Sequence, residues 1–338
     1  MKPVLIAAGV GLLTLVRLSA AQEPPPADSS PMLRADTVPP PGVTETAFVF
    51  RSGALRLAGT LTEPRTAGRV PIAILVAGSG PTDRNGNSAA GLRTNTYAQL
   101  AWGLAERGVA SLRYDKRVLP TAEGAVDMAT LSFDDFADDV VGAAAAIRAT
   151  DRYGKIVVAG HSEGAGLAIR AAARGLQADG LVLVAGAGRP MLQILHEQVG
   201  RQVDATALLA FDSAMARYVR GEPPGEVPQG LAALFVPAHQ RFVSGLAAYD
   251  PTAELARVTV PVLIVQGETD IQIRPVDAER LRAARPDARL VLLPETNHVL
   301  KHATDTTLLA QLVTYRDPTL PVEPAAVEAI AAWVAALR

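Results

Sequence analysis

Short apolar runs alternate with helical segments along most of the chain. Buried strands are predicted from the apolar runs at 70–76, 109–114, 156–159, 181–185, 261–265 and 290–293. Between and after these runs, the sequence predicts helices at 97–107, 133–149, 164–174, 276–284 and 323–337. This alternation is typical of a parallel sheet whose strands are joined by right-handed helical crossovers.

The sequence before the first buried strand predicts an antiparallel hairpin. Residues 47–50 and 54–61 have strand-like composition, and they flank the turn pair Ser52-Gly53. Because a hairpin cannot continue a parallel alternation, we expect it at the edge of the sheet. The whole pattern predicts an α/β fold with a mostly parallel sheet over residues 44–338.

Residues 188–250 interrupt this alternation of strands and helices. It contains no convincing strand, whereas 191–199 and 205–220 have helical character. An all-helical insertion inside a sheet protein predicts a lid over one edge of the sheet; helices that pack there without a role at the site are the alternative. The apolar lid residues that are candidates to line a pocket are Met191, Leu195, Phe211 and Met215, and packing of the lid against the sheet explains them equally well.

The first residues have the pattern of a secretory signal peptide. Lys2 is followed by an apolar run at 4–16, and Ser19 and Ala21 then have the spacing that signal peptidase prefers. The apolar run is shorter than the roughly 20 residues that span a bilayer. We therefore expect a signal peptide at 1–21, a periplasmic or secreted protein and no stable membrane insertion after cleavage. An uncleaved anchor is the alternative.

Residues 22–43 form a segment of a different kind. They include seven prolines and few large apolar residues. Such a segment cannot bury enough apolar surface to fold alone. We predict an extended or disordered linker between the signal peptide and the folded domain.

Composition and charge exclude several classes of function. The 338 residues include 32 basic and 34 acidic side chains, and the formal net charge of −2 predicts no attraction to nucleic acid. The chain has no cysteine, which excludes disulfides and thiolate metal sites. The composition leaves the oligomeric state open.

The sequence Gly160-His161-Ser162-Glu163-Gly164 predicts a nucleophile. The G-x-S-x-G pattern alone is weak evidence, but here it follows an apolar strand and precedes a predicted helix. A serine on such a sharp, strained turn projects its hydroxyl over the carboxyl edge of the sheet, and crowding requires the small residues Gly160 and Gly164. The helix amino end adds partial positive charge beneath a developing oxyanion. Ser162 is the candidate nucleophile; an ordinary Gly-rich turn is the alternative.

A serine hydroxyl needs a base to remove its proton, and the chain has five histidines. His298 follows the last predicted strand, where the base is expected. His302 lies one helical turn further and is the main competitor. His161 adjoins the serine, so its side chain should point elsewhere, while His196 and His239 fall in the predicted lid. We therefore predict His298 as the general base.

The acid that orients this base is expected after the preceding strand. Asp270 lies three residues beyond Gly267, in the loop that follows the strand at 261–265. This loop ends at the same sheet edge as Ser162 and His298. Asp270 is the predicted acid, and Glu268 and Asp277 are the alternatives.

The loop after the first buried strand can supply an oxyanion hole. In Gly78-Ser79-Gly80, backbone N–H groups can turn towards the space above Ser162. We predict the backbone N–H groups of Ser79 and Glu163 as the two donors; a plain turn is the alternative. The glycine spacing does not match the Walker or G-x-G-x-x-G phosphate patterns.

Together these motifs resemble the α/β-hydrolase superfamily, and within it bacterial esterases of the serine-aminopeptidase-like (S33) branch. The resemblance extends from about Thr44 to the end of the chain. It is carried, in family order, by the stretches 78–87, 113–117, 160–164, 267–270 and 297–301. The chain departs from the family where Ala77 replaces a frequent histidine and where Val118-Leu119-Pro120 replaces a Gly-rich turn.

The resemblance implies an α/β-hydrolase fold with a mostly parallel, eight-stranded sheet, an N-terminal antiparallel hairpin, a helical lid insertion and neither cofactor nor metal. It implies a serine carboxylesterase that works through an acyl-enzyme intermediate, and we expect small or short-chain esters as substrates. An amidase or aminopeptidase and a thioesterase or acyltransferase use the same triad and are alternatives. A non-catalytic envelope binding protein on this fold is a third alternative.

Overall fold

The computed structural model describes residues 38–65 and 68–337. The predicted signal peptide at 1–21 and residues 22–37 of the predicted linker lie outside these ranges, and both stay predictions. The first strand begins at Val43, immediately before the predicted start of the folded domain.

Ten strands occur in the described chain. The central sheet contains β1 (Val43–Ser52), β2 (Leu55–Pro64), β3 (Ile72–Val76), β6 (Ala110–Tyr114), β7 (Ile156–His161), β8 (Gly180–Val184), β9 (Val262–Gly267) and β10 (Arg289–Leu293). A separate two-stranded hairpin contains β4 (Asn87–Ser88) and β5 (Leu92–Arg93).

Ten α-helices occur in the same ranges. Their bounds are α1 (Thr96–Glu106), α2 (Phe133–Ala149), α3 (Glu163–Ala173), α4 (Met191–Gly200), α5 (Ala205–Tyr218), α6 (Gln240–Ala248), α7 (Pro251–Leu255), α8 (Pro275–Ala284), α9 (Leu308–Thr314) and α10 (Pro324–Ala335). Two short 3-10 helices, Ala232–Leu234 and Pro237–His239, precede α6.

The central sheet confirms the predicted fold class. Its strand order is β1-β2-β6-β3-β7-β8-β9-β10. The strands from β6 to β10 in this order pair in parallel, whereas β1 pairs with β2, and β2 with β6, in antiparallel orientation. The carboxyl ends of the parallel strands meet at one edge of the sheet, so the loops that follow them are brought together there.

Hydrophobic cores cover both faces of the sheet because side chains alternate along each strand. On β3, Ile72 and Ile74 contribute to a core shared with α2 and α3, while Ala73 and Leu75 contribute to a core shared with α1 and α10. Every residue of β3 and β8 is buried, as their continuous apolar runs predict. The sheet is therefore a rigid platform for the loops at its carboxyl edge.

The chain between β8 and β9 is helical and contains α4 to α7. Aromatic side chains stabilise this insertion: the rings of Phe211 and Tyr218 pack edge-on against Phe235, with centroid distances of 6.0 and 5.4 Å. No helix in the described part of the chain combines the length and the apolar composition that a bilayer crossing needs.

Helix α3 approaches β7 and β3 so closely that side chains are excluded at Gly160 and Gly164. A Cβ atom on Gly160 would lie 2.1 Å from the backbone oxygen of Gly164, and one on Gly164 would lie 2.2 Å from the backbone oxygen of Val76. Both distances are far shorter than van der Waals contact. Glycine is therefore required at both positions, as the sequence predicts.

Gly160→Ala is expected to lower the free energy of unfolding by about 3 kcal/mol or more, because backbone atoms on both sides would have to move. Gly245→Ala in α6 is the matched control. Its added Cβ would lie 3.6 Å from the Phe133 Cβ, an ordinary contact, so stability is expected to stay level or rise by up to about 1 kcal/mol. Urea unfolding of both variants measures the difference. Equal stabilities would contradict the close crossing.

Candidate active site

Ser162 lies on the turn between β7 and α3. Its φ of 56° and ψ of −119° lie in a left-handed region that costs a non-glycine residue about 1–3 kcal/mol. The backbone N–H of Ser162 donates to the backbone oxygen of Val184 at 2.8 Å, which ties the turn to β8. The side chain is partly exposed at the carboxyl edge of the sheet. The structure thus has the strained turn that the sequence predicts.

Asp270 and His298 form a buried, hydrogen-bonded pair. The Nδ1 atom of His298 lies 2.8 Å from the Oδ2 atom of Asp270. The Oδ1 atom of Asp270 accepts from the backbone N–H groups of Gln272 and Ile273 at 2.8 and 3.0 Å, and Gln266 Nε2 donates to Oδ2 at 3.2 Å. The carboxylate is held in one orientation. Because Nδ1 is hydrogen-bonded to Asp270, Nε2 is the nitrogen of His298 that is left to exchange a proton with another group.

The loop that carries His298 is held by its neighbours. The Oδ1 atom of Asn297 accepts from the backbone N–H groups of Val299 and Lys301 at 3.1 and 3.0 Å. Lys301 is buried, and its Nζ donates to the Oε1 atom of Gln99 in α1 at 2.7 Å. These contacts fix the backbone on the carboxyl side of His298.

Ser162 and His298 lie at the same sheet edge without a direct hydrogen bond. The ring of His161, the residue before the serine, lies 4.8 Å from the ring of His298 between centroids. Within the described ranges, Ser162 Oγ makes no hydrogen bond, either to His298 or to another group. Catalytic hydrogen bonds are often long before substrate binds and shorten in the substrate complex. The structure therefore brings Asp270 and His298 into contact and packs His161, the residue before Ser162, against the His298 ring.

His161 connects the elbow to the loops on either side. Its Nε2 atom lies 2.7 Å from the backbone oxygen of His298, so Nε2 carries the proton and donates it. Its Nδ1 atom then accepts from the Tyr97 hydroxyl at 2.9 Å, and the Tyr97 oxygen accepts from the backbone N–H of Gly78 at 2.9 Å. One hydrogen-bonded chain links the loop at Gly78, α1, the elbow and the loop of His298.

The charge states of this network follow from its burial. Burial, reinforced by the neighbouring imidazole of His298, lowers the pKa of His161 to about 3. A neutral ring is what the network needs, because Nδ1 must accept a hydrogen bond. Burial raises the pKa of Tyr97 above its ordinary value, so its hydroxyl keeps the proton that it donates.

The two predicted oxyanion donors line the same pocket as Ser162. A Cβ atom on Gly78 would lie 3.3 Å from the Ser162 Cβ, so the loop that carries Ser79 passes directly beside the elbow. The backbone N–H groups of Ser79 and Glu163 donate to no other group of the described chain. Both are available to a substrate oxygen, and that of Glu163 lies at the positive amino end of α3.

The competing candidates for the acid and base lie elsewhere. His302 is exposed, with its Nδ1 atom 3.0 Å from Glu323 Oε1. Asp277 forms a buried ion pair with Arg189 at 2.7 Å, and Glu268 is exposed. Of the predicted acids, Asp270 is the one that contacts His298. Over residues 38–65 and 68–337, no group of three or more histidine, aspartate or glutamate side chains is placed to hold a metal ion.

A small apolar pocket adjoins Ser162. Its volume is about 80 Å³, and the apolar residues that line it include Phe133, Met191, Ile194, Leu195, Leu246 and Ile273. Helices α4 and α6 of the insertion therefore form part of its wall. Two of the four apolar lid residues predicted as pocket candidates, Met191 and Leu195, line the pocket. Phe211 and Met215 instead pack into the hydrophobic core.

The stretch 83–87 forms a hydrogen-bonded loop near the site. The Oδ1 atom of Asp83 accepts from the backbone N–H groups of Asn85 and Asn87 at 2.8 and 2.9 Å. Arg84 forms an ion pair with Asp115 at 2.5 Å. Burial raises the pKa of Asp83 to about 6. These contacts stay within the protein and maintain the shape of the loop.

Lys116 is a residue of the site that sequence reasoning did not identify. Its ammonium Nζ lies 2.6 Å from Glu163 Oε1 and 2.8 Å from the backbone oxygen of Gly78. The sequence 113–117 could have indicated this residue, because several charged side chains there lie at or just after the carboxyl end of a buried strand. A charge that is buried at such an edge needs partners, and the elbow and its neighbouring loop supply them.

The model of the alpha/beta hydrolase family matches residues 73–311, more than half of the chain. The chain is similar to Esterase EstD of Thermotoga maritima, with 27% identity over 248 residues, which are 72% of this chain and 58% of that protein. The chain thus spans less than two thirds of the length of this curated relative.

Solved structures of esterases share the fold. Est1E from Butyrivibrio proteoclasticus, with ferulic acid bound, aligns with a TM-score of 0.55 and 19% identity over 79% of this chain and 96% of that one. A thermophilic esterase from Thermogutta terrifontis, with malate bound, aligns with a TM-score of 0.53 and 18% identity over 86% of this chain and 99% of that one. At these identities the likeness shows a common fold.

His161→Gln is expected to change how stability depends on pH. The folded protein lowers the pKa of His161 from 6.5 to about 3. The neutral ring therefore contributes stability above pH 6.5 that is lost as the pH falls towards 3, with a slope of at most about 1.4 kcal/mol per pH unit. Glutamine keeps one donor and one acceptor and does not titrate.

Urea unfolding of both proteins from about pH 7.5 to about pH 5 measures this effect. At the upper end of this pH range, the wild type is expected to have the larger free energy of unfolding. The difference between the two proteins should shrink as the pH falls. An advantage that stays constant across the range would contradict a neutral, buried His161.

Proposed function

This chain belongs to the α/β-hydrolase family, and on that premise we propose that it is a serine carboxylesterase. The observation that carries the proposal is the 2.8 Å contact between His298 Nδ1 and Asp270 Oδ2, at the edge where Ser162 lies on a strained turn. The name of the relative from Thermotoga maritima, Esterase EstD, supports ester hydrolysis.

In the acylation step, Ser162 Oγ attacks the ester carbonyl carbon while His298 Nε2 takes the hydroxyl proton. Asp270 keeps the imidazole in the required orientation and stabilises the imidazolium. The backbone N–H groups of Ser79 and Glu163 donate to the oxygen that gains negative charge. Collapse of the tetrahedral intermediate breaks the bond to the alcohol oxygen, which receives the proton from His298.

The deacylation step follows the reverse route with water as the nucleophile. His298 Nε2 takes a proton from water, whose oxygen attacks the acyl carbon, and the same two N–H groups hold the oxyanion. The proton then returns to Ser162 Oγ, and the carboxylic acid leaves.

The apolar pocket favours small acyl groups. With a volume of about 80 Å³ it is far smaller than a pocket that encloses a drug-sized ligand, and aliphatic and aromatic side chains form most of its lining. An acyl chain of a few carbons can fill it, whereas a long chain would have to extend beyond it. We therefore propose short-chain esters as substrates.

Ser162→Ala is expected to lower kcat for an aryl acetate by on the order of 10⁵-fold, because the nucleophile is removed. Ser213→Ala, at an exposed position of α5, is the matched control and should retain wild-type turnover. A fluorophosphonate should add its mass to the peptide that contains Ser162 in the wild type only. Turnover that persists in Ser162→Ala would exclude this mechanism.

Leu195→Ala is expected to shift the preference towards longer acyl chains by enlarging the pocket. Leu195 is buried against the pocket, whereas Leu209 in α5 is 70% exposed, so Leu209→Ala is the matched control. The ratio of kcat/KM for hexanoyl to acetyl aryl esters should rise at least about tenfold in Leu195→Ala. A ratio equal in both variants would show that acyl groups bind elsewhere.

A further inference from the structure

Lys116 joins the two segments that supply the proposed oxyanion donors. It lies just beyond β6 and is 5% exposed. Its Nζ donates to the backbone oxygen of Gly78 at 2.8 Å and to Glu163 Oε1 at 2.6 Å, and it also lies 5.0 Å from the centre of the Phe136 ring. The ammonium group is therefore held between the loop at Gly78 and the amino end of α3.

The backbone oxygen that Lys116 contacts belongs to the peptide unit between Gly78 and Ser79. The N–H group at the other end of this unit is that of Ser79, the first proposed oxyanion donor. Because a peptide unit is planar, holding its oxygen also sets the direction of its N–H. A cation at the oxygen increases the polarisation of the unit, which makes the N–H a stronger donor.

The second donor is linked to the same ammonium group. The side chain of Glu163 accepts from Lys116, while the backbone N–H of Glu163 is free of other acceptors in the described chain. A carboxylate this close to a developing oxyanion would oppose its negative charge. Lys116 compensates that carboxylate and so preserves the positive potential at the amino end of α3.

Stability alone does not account for this ion pair. Burying two charges costs several kcal/mol per ion, and an apolar pair of similar volume is often as stable or more stable. Glu163 Oε2 has no hydrogen-bond partner in the described chain, so the pair is incompletely compensated. An arrangement of this kind is expected where preorganised donors stabilise a transition state.

We propose that Lys116 is a positioning residue of the oxyanion hole: it orients and polarises the peptide unit whose N–H belongs to Ser79, and it neutralises Glu163 beside the second donor. The inference rests on the proposed esterase function. Lys116 does not touch the substrate and acts through these two backbone donors.

Lys116→Met tests the proposal with a side chain of similar length and no charge. We expect kcat for an aryl acetate to fall about ten- to hundredfold, which is no more than the fall expected when a whole oxyanion donor is removed. KM should stay within about twofold of the wild-type value. The affinity for an aryl boronic acid, which forms a tetrahedral anion on the serine, should fall in parallel with kcat/KM. Lys155→Met, at a partly exposed lysine that pairs with Asp179, is the matched control and should match the wild type.

A double variant separates positioning from folding. Lys116→Met combined with Glu163→Leu replaces the ion pair by apolar side chains, so its free energy of unfolding should equal or exceed that of Lys116→Met. Its kcat should nevertheless stay at least about tenfold below wild type. Recovery of wild-type kcat in the double variant would overturn the positioning role at the Ser79 peptide unit, because Lys116 would then serve only to compensate Glu163.

The test distinguishes this inference from the proposed function. If Ser162→Ala abolishes turnover while Lys116→Met keeps wild-type kcat and boronate affinity, Lys116 has no positioning role and the esterase proposal stands. If the wild type shows no turnover that depends on Ser162, both proposals fail.

Discussion

The close approach of α3 to β7 and β3 at Gly160 and Gly164 is the contact on which the site depends. Backbone atoms there approach so closely that a Cβ atom has no room. This contact forces the chain to reverse at Ser162 and gives that residue its positive φ. The local strain is sustained because the turn is anchored between the buried strands β3 and β8, and it leaves the serine hydroxyl above the carboxyl edge.

Buried polar side chains then hold the surrounding loops against this turn. His161 donates to the backbone oxygen of His298 and accepts from Tyr97, which in turn accepts from the loop at Gly78. Lys116 contacts the same loop through the Gly78 backbone oxygen. Networks of this kind are costly when a partner is missing and rigid when they are complete. The predicted oxyanion hole therefore has a supporting structure that extends well beyond its two donors.

The insertion between β8 and β9 forms part of the wall of the pocket beside Ser162. Helices α4 and α6 close an apolar space next to Ser162, while the aromatic contacts of α5 keep the insertion packed on itself. The groups proposed to be catalytic come from loops of the sheet, and more than half of the residues that line the pocket come from the insertion. Under the proposed function, substrate preference is expected to depend on α4 and α6, which are separate in sequence from Asp270 and His298.

The amino-acid sequence alone determined the fold class and the strand–turn–helix elbow around Ser162, and it predicted His298 and Asp270 as partners, because these follow from local hydrophobic periodicity and from loop positions after strands. The tertiary structure decided which distant side chains meet. The strand order places β6 beside β3, so Lys116 reaches Gly78 and Glu163, which lie 38 and 47 residues away. Likewise, the role of His161 depends on the approach of the His298 loop across the sheet edge. Such contacts arise from packing between remote segments, which short-range sequence patterns do not encode.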